Sequence, residues 1–351
     1  MEKYVIGLMS GTSLDGLDMA YVKFNTENLS DFTIIKGETI PYSKYWFDQL
    51  KASFKMSADQ LMYLDAAYGQ FLGKQVNNFM KRHKIEKVDL IASHGQTVFH
   101  RPELGYTTQI GSGAHINAIT GIKTICDFRR QDVALGGQGA PLVPIGDRLL
   151  FSTYDDCINI GGFANISFEK DRLRLAFDIC PANIVLNHYI NKIGLNYDNK
   201  GQMAATGKID LKLLQKLNEL PEYEENQPKS FGWEMVVNKI IPLIDRQALK
   251  LADILKTYVE HIATQIGRHT HNGKILITGG GAFNDYLIKR IKAHTSGKVI
   301  IPDPMLIDYK EALIFALLGL LKDMGQVNIL ASVTGCKQDH SSGVIFDYKN
   351  I

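Results

Sequence analysis

The amino-acid sequence predicts an α/β chain that uses one domain plan twice, and three observations lead there. Both halves read strand, strand, strand, helix, strand, helix, strand in the same order. In each half a short apolar strand runs into glycine at the matching place, at 88–95 and again at 274–281. The chain is 351 residues long, above the length at which one hydrophobic core usually splits. The repeat is far longer than a solenoid period, so it reads as a duplicated domain.

The first strand, 4–9, runs into Ser10, Gly11, Thr12 and Ser13, then Asp15 and Gly16, before a second apolar stretch at 17–24. Gly11 and Gly16 allow the positive φ that tight turns need. A third strand is expected at 32–36. Ser57 followed by Gln60 is a capping-box signature, and Leu61, Leu64, Tyr68, Phe71, Leu72, Val76 and Phe79 then recur at helical spacing, giving a helix over 58–82. Strands follow at 88–93 and 122–126, the latter closed by Asp127. The second half repeats this with strands at 157–160, 164–168 and 173–177, and a helix at 245–270 with Leu249, Ala252, Leu255, Val259, Ile262 and Ile266 on one face. Strands at 274–278 and 299–301 complete it. The charged stretch 222–231 reads as a surface loop. The expected domains are 1–130 and 131–324, with part of 325–351 open to joining the first.

Composition narrows the function. Hydrophobic residues make up 45% and charged residues 22%, an ordinary globular balance, and a net charge of +2 argues against a nucleic-acid surface. Four widely spaced cysteines without a C-x-x-C pair fit reduced thiols better than a disulfide or zinc framework. The first residues carry no signal-peptide pattern, and the longest apolar run, 312–321, is too short to span a bilayer. A soluble, cytoplasmic protein is expected.

Three glycine turns carry the chemistry. The first, Gly11 through Thr12, Ser13, Leu14, Asp15, Gly16 and Leu17 to Asp18, offers backbone N–H groups and hydroxyls to one point, as a bound phosphate requires. Its plain alternative is an ordinary hairpin turn. It is neither a G-x-x-x-x-G-K-[ST] loop nor a G-x-G-x-x-G helix start. The second turn holds Gly161, Gly162 and Asn165; the third holds Gly279, Gly280 and Gly281 and leads to Asn284 at the start of a helix, whose free N–H groups favour anions. A simple strand-to-helix connection is the alternative for the third. Three such turns in a duplicated fold suggest a nucleotide in a cleft between the halves.

Several ordered blocks make the sequence resemble the anhydro-N-acetylmuramic acid kinase family, a sugar-kinase branch of the actin/hexokinase-like superfamily. They are 7–18, Ser93 to Thr97 with His100, Asp127 to Arg129 with Asp132, 136–144, 159–165, 199–207, 278–284 and 310–312. The resemblance implies two actin/ribonuclease H-like domains around a central nucleotide cleft, and an ATP- and Mg-dependent enzyme of peptidoglycan recycling. Such an enzyme opens the 1,6-anhydro ring of its amino sugar with water and phosphorylates O6. By matching position, the turn at 11–18 holds the ATP phosphates and Asp178 is the general base. His94, Gln96, Thr97 and Arg129 place the sugar, with Arg129 also near the chemistry, and Glu311 lies near the metal and the reacting groups. The implied partners are the amino sugar and ATP, without nucleic acid or membrane; a homodimer is left open.

Each residue has a plainer reading. Asp178 could terminate a strand or cap the helix near Pro181, Arg129 could be a solvated edge beside Arg130, and Glu311 could be a first-turn carboxylate of an apolar helix. His94 and His100 could be metal ligands, but no third ligand stands at a fixed spacing, so hydrogen-bonding turn histidines fit better. Departures from the family pattern cluster near Asp178. Ile179, Cys180 and Ala182 replace a threonine and two glycines, Asn187 stands for an aspartate, and Asp147 stands where a histidine is usual. These leave two other readings: a non-catalytic nucleotide-binding sensor or scaffold, or a kinase for another sugar.

Overall fold

The computed structural model describes residues 1–11, 14–224 and 230–349. The chain forms two compact units, one from Met1–Leu150 with Tyr309–Ile351 and the other from Phe151–Asp308.

In the first unit, β1 (Glu2–Ser10), β2 (Gly16–Asn25) and β3 (Phe32–Pro41) form an antiparallel meander. β4 (Leu90–Ser93) pairs parallel to β1. A hairpin of β5 (Gln96–Arg101) and β6 (Tyr106–Ile110) follows, then β7 (Thr124–Cys126), parallel to β4. In the second unit β8 (Asp156–Ile160), β9 (Phe163–Lys170) and β10 (Leu173–Pro181) repeat the meander, with β11 (Lys274–Thr278) parallel to β8 and β12 (Lys298–Ile300) parallel to β11. β13 (Val344–Phe346) returns to the first sheet. Among the described residues the sheet orders are β13-β7-β4-β1-β2-β3 and β10-β9-β8-β11-β12. Leaving out β13, the two orders are the same, so the expected duplicated α/β plan is the architecture.

The helix Ala58–His83 begins as its sequence demands. The Ser57 hydroxyl accepts from Gln60 N–H, and the Gln60 side chain accepts in return from Ser57 N–H. Leu64, Tyr68, Leu72, Val76 and Phe79 are buried on its apolar stripe. In the second unit the helix is Leu251–His269 and not 245–270: Ala248 has a φ of +48°, which no α-helix tolerates, so the preceding turn ends and a new helix starts after it. Among the described residues no helix is long and apolar enough to cross a membrane.

Two further differences from the sequence reading bear on the site. The β5–β6 hairpin was not expected. The unit boundaries fall at 150/151 and 308/309, against the expected 130/131 and 324/325. The reason is the apolar helix Pro304–Asp323, most of which belongs to the first unit despite following the second in sequence. Gly7 in the middle of β1 admits it, since a Cβ there would stand 1.9 Å from the Ala312 carbonyl oxygen. Gly7→Ala should therefore lower unfolding free energy by about 1–3 kcal/mol, the usual penalty of overpacking. The check is a urea midpoint shift at unchanged slope; an unmoved midpoint would mean the helix slides aside freely.

Candidate active site

The first unit gathers polar groups at the ends of β1 and β4. Leu14 N–H donates to the Gly11 carbonyl at 3.2 Å, and Leu14 has a φ of +58°. Thr12 and Ser13 lie outside the described residues. Asp15 is exposed, Gly16 opens β2, and the Leu17 side chain belongs to the core. Asp18 pairs across the sheet with Met9 and Thr39, and the Thr39 hydroxyl donates to its Oδ1 at 2.6 Å. A carboxylate suits a cation better than a phosphate oxygen.

His94 follows β4, its N–H bonded to the Leu8 carbonyl and its ring 4.6 Å from that of Phe315 on the apolar helix. Its Nε2 accepts from Arg129 Nε at 3.0 Å, which requires a neutral ring with the proton on Nδ1. Burial, with the Arg129 charge adding to it, pushes its pKa down to about 3. With Nε2 engaged and the proton on Nδ1, His94 has no lone pair left for a metal. Arg129 is held at a second point, Nη1 donating to the Gly139 carbonyl at 2.6 Å. Gly139 N–H in turn donates to Asp132 Oδ2 at 2.6 Å, and the Thr334 hydroxyl donates to Asp132 Oδ1 at 2.7 Å. Burial lowers the Arg129 pKa to about 10, opposed by the Glu311 and Asp132 carboxylates.

Glu311 reaches solvent, yet surrounding protein desolvates its carboxylate and raises its pKa; Arg129 opposes this, Asp18 adds to it, and Lys310 opposes it more weakly. It is not a first-turn residue, because its helix already begins at Pro304. The neighbouring Lys310 forms a buried ion pair with Asp147 at 2.7 Å, which gives the Asp147 departure a partner. Gln96 accepts a short hydrogen bond from the Ser10 hydroxyl, which also bonds the Tyr42 hydroxyl, and that in turn bonds the Tyr68 hydroxyl. Thr97 on β5 accepts from Gln109 Nε2 at 3.3 Å, and His100 bonds the Thr107 hydroxyl at 3.0 Å. Arg129, His94 and Glu311 thus form one cluster, while Gln96 ties β5 to the end of β1.

In the second unit a polar row crosses the sheet. Thr278 pairs with Asn159, Asn159 with Asn165, and Asn165 with Asp178. Directly paired residues share a face, so these four side chains line one side of the sheet near its strand ends. The register slips between Asp178 and Cys180, a bulge just after Asp178, and pairing resumes at Cys180 with Ala164. Asp178 Oδ2 accepts from Phe231 N–H at 2.9 Å and from the Ser230 hydroxyl at 3.3 Å. Its Oδ1 accepts no hydrogen bond among the described residues. Burial raises its pKa, opposed by those two donors. Residues 230–231 therefore do more than form a surface loop, although 225–229 lie outside the described residues. The departures Ile179, Cys180 and Ala182 are fully buried, so the stretch after Asp178 is dry core.

Gly279 has a φ of +80°, and a Cβ there would lie 2.7 Å from Asn159 Oδ1, so the turn needs glycine for both reasons. Asn284 caps the helix Asp285–His294, its Oδ1 accepting from Leu287 N–H at 3.0 Å. Gly280 and Asn284 line a pocket of about 710 Å³ with Asn183, Asn187, Phe283 and Ile301. That size and its mix of apolar walls with amides suit a nucleotide-sized ligand. A Cβ at Gly161 or Gly162 would meet its neighbours only at ordinary van der Waals distance, and the Gly162 carbonyl accepts from Ala182 N–H at 2.7 Å. A second pocket of about 690 Å³ beside Phe168 and His271 contains none of the expected residues.

Sequence reasoning alone missed Ser230 and Phe231 as the partners of Asp178, and Gly139 as a partner of Arg129. Asp132 belongs to one of the family-like sequence blocks, but its role in holding Gly139 needed the fold.

Comparison with known proteins agrees along the whole length. The pattern of the family described as anhydro-N-acetylmuramic acid kinase matches residues 3–348. Proteins of that name from Shewanella amazonensis and Microcystis aeruginosa are 36% and 35% identical; alignment covers 98% and 97% of this chain and 99% of each relative. Among solved structures, component A of (R)-2-hydroxyglutaryl-CoA dehydratase from Acidaminococcus fermentans aligns with a TM-score of 0.48 at 11% identity, covering 90% of this chain and 96% of that one. A ROK family glucokinase from Streptomyces griseus in complex with glucose and AMPPNP aligns at 0.42 and 11%, covering 90% and 98%. With its own sequence matched almost from end to end, this chain belongs to the anhydro-N-acetylmuramic acid kinase family.

Proposed function

We propose that this kinase uses ATP and water to convert anhydro-N-acetylmuramic acid into N-acetylmuramic acid 6-phosphate, in the cytoplasm, during peptidoglycan recycling. The observation that carries the reading is Asp178: a carboxylate held through one oxygen only, with burial raising its basicity. Water attacks the anomeric carbon and gives its proton to Asp178, which later returns it to solvent. The C1–O6 bond breaks, and O6 takes the γ-phosphoryl group as ADP leaves, so phosphorylation substitutes for protonation of the leaving group. Arg129, fixed by His94 and Gly139, places the sugar with Gln96 and Thr97. The turns at 11–18, 161–165 and 279–284 bind the nucleotide through their backbone.

Asp18 and Glu311 are hard oxygen donors close enough for Asp18 to raise the Glu311 pKa, an arrangement that fits a divalent cation. They would hold Mg²⁺, which supplies charge stabilisation to the phosphates when bound.

The test is ADP release measured across a panel of sugars. Release with the anhydro sugar supports the reading; release only with another sugar assigns a different substrate. None with any sugar leaves the non-catalytic nucleotide-binding reading. The phosphate turn has its own check, because Gly11→Val should weaken ATP binding by calorimetry with thermal stability little changed. Unaltered ATP affinity in the folded variant would remove this turn from the nucleotide site.

A further inference from the structure

A second chemical cluster lies behind Arg129, away from the carboxylates assigned to the reaction. Asp132, Cys336 and His340 each offer a ligand atom, and the three atoms lie within 4.8 Å of one another. The histidine is prepared for a metal. Its Nδ1 lies 3.1 Å from the Gln338 carbonyl and 3.7 Å from Cys336 Sγ; donating its proton to the carbonyl leaves the lone pair on Nε2. That Nε2 is buried, makes no hydrogen bond among the described residues, and points toward Asp132 Oδ1 at 3.9 Å; the side chain is only 8% exposed. Cys336 is buried, with its thiol bonded to the same Gln338 carbonyl at 3.2 Å. Asp132 already has the outer contacts of a ligand, to Gly139 N–H and to the Thr334 hydroxyl.

We propose that Asp132, Cys336 and His340 form a zinc-class site, with Cys336 Sγ, His340 Nε2 and an Asp132 oxygen as ligands and water in the fourth position. Zinc bonds of about 2.0–2.3 Å place tetrahedral ligand atoms about 3.3–3.8 Å apart, so the Nε2–Oδ1 separation of 3.9 Å is already near that range and the cluster, within 4.8 Å overall, must draw in by about 1 Å or more at its widest. The thiol proton leaves to solvent as the Sγ–metal bond forms. A thiolate and an imidazole select zinc-like ions over Mg²⁺, so the site is distinct from the carboxylates that face ATP. Its consequence is positional. A metal on Asp132 fixes the group that holds Gly139, and the Gly139 carbonyl receives Arg129. The C-terminal segment would thereby brace the arginine.

The test uses the full chain freed of metal by chelation and titrated with Co²⁺, then with Zn²⁺. The expected result is a thiolate-to-cobalt charge-transfer band that saturates at one equivalent and is displaced by Zn²⁺, with a rise in melting temperature. Cys336→Ala should abolish the band, and His340→Gln should weaken binding while keeping the thiol, so either variant serves if the other fails to fold. Thr334→Val, which strips an outer contact, should weaken binding about 10–100-fold. No band in the wild type, or an undiminished band in folded Cys336→Ala, would overturn the proposal.

Discussion

Asp178→Asn should slow turnover of the anhydro sugar by about 10²–10⁴-fold, or about 2.7–5.4 kcal/mol of barrier. The substitution keeps size and shape. The amide oxygen can still accept from Phe231 N–H and Ser230, so the bulge at the end of β10 should survive. What is lost is the ability to accept the proton of the attacking water. ATP binding should persist, since the nucleotide is assigned to the glycine turns. Ring opening and phosphoryl transfer are one event in this scheme, so both should fall together and no free non-anhydro sugar should accumulate. In wild-type protein, solvent ¹⁸O should appear at the anomeric hydroxyl. Burial raises the Asp178 pKa, so wild-type kcat/KM should decline on acidification at a pH above the ordinary aspartate range, as the base protonates. A variant that turns over at nearly the wild-type rate would reduce Asp178 to a strand-end residue and leave Glu311 as the next candidate.

The elements were legible where local chemistry is explicit. Ser57 and Gln60 announce a helix start, and the apolar runs that become β1, β8 and β11 are too short and too dry for anything but central strands. What escaped were partners from distant parts of the chain. Nothing near Asp178 in sequence indicates that residues 230–231 will bond it, and nothing near Arg129 marks His94 as its acceptor rather than a metal ligand. The β5–β6 hairpin stayed hidden because Gln96, Thr97, His100 and Arg101 carry too many polar groups to read as a strand. Glu311 looked like a helix start because the mixed residues before it mask the true start at Pro304. That Asp132 would meet Cys336 and His340 could not be read either, because it lies far from both in sequence.

Both units should become acid-labile well above the pH at which ordinary carboxylates titrate, because each buries a neutral histidine. In the first unit that is His94. In the second it is His261, whose Nδ1 is 2.7 Å from Asn218 Oδ1 and whose Nε2 accepts from the Tyr223 hydroxyl at 3.0 Å. Burial, with Arg129 near one and Arg268 near the other, lowers both pKa values from 6.5 to about 3. As the pH falls below 6.5, the unfolded chain takes up a proton at each histidine and the folded chain does not. Stability from this source is therefore full above 6.5 and is lost as the pH falls toward 3, at up to about 1.4 kcal/mol per pH unit for each histidine. Between pH 6.5 and 5 each unit should lose about 2 kcal/mol. The two tryptophans allow the units to be read separately, since Trp46 lies in the first and Trp233 in the second. Urea unfolding would be followed in Trp233→Phe and Trp46→Phe backgrounds. His94→Gln, whose amide oxygen can still accept from Arg129, should flatten the pH slope of the first unit only. His261→Gln should flatten that of the second only. A slope unchanged by either substitution would mean that carboxylates, not these histidines, set the acid limit of the fold.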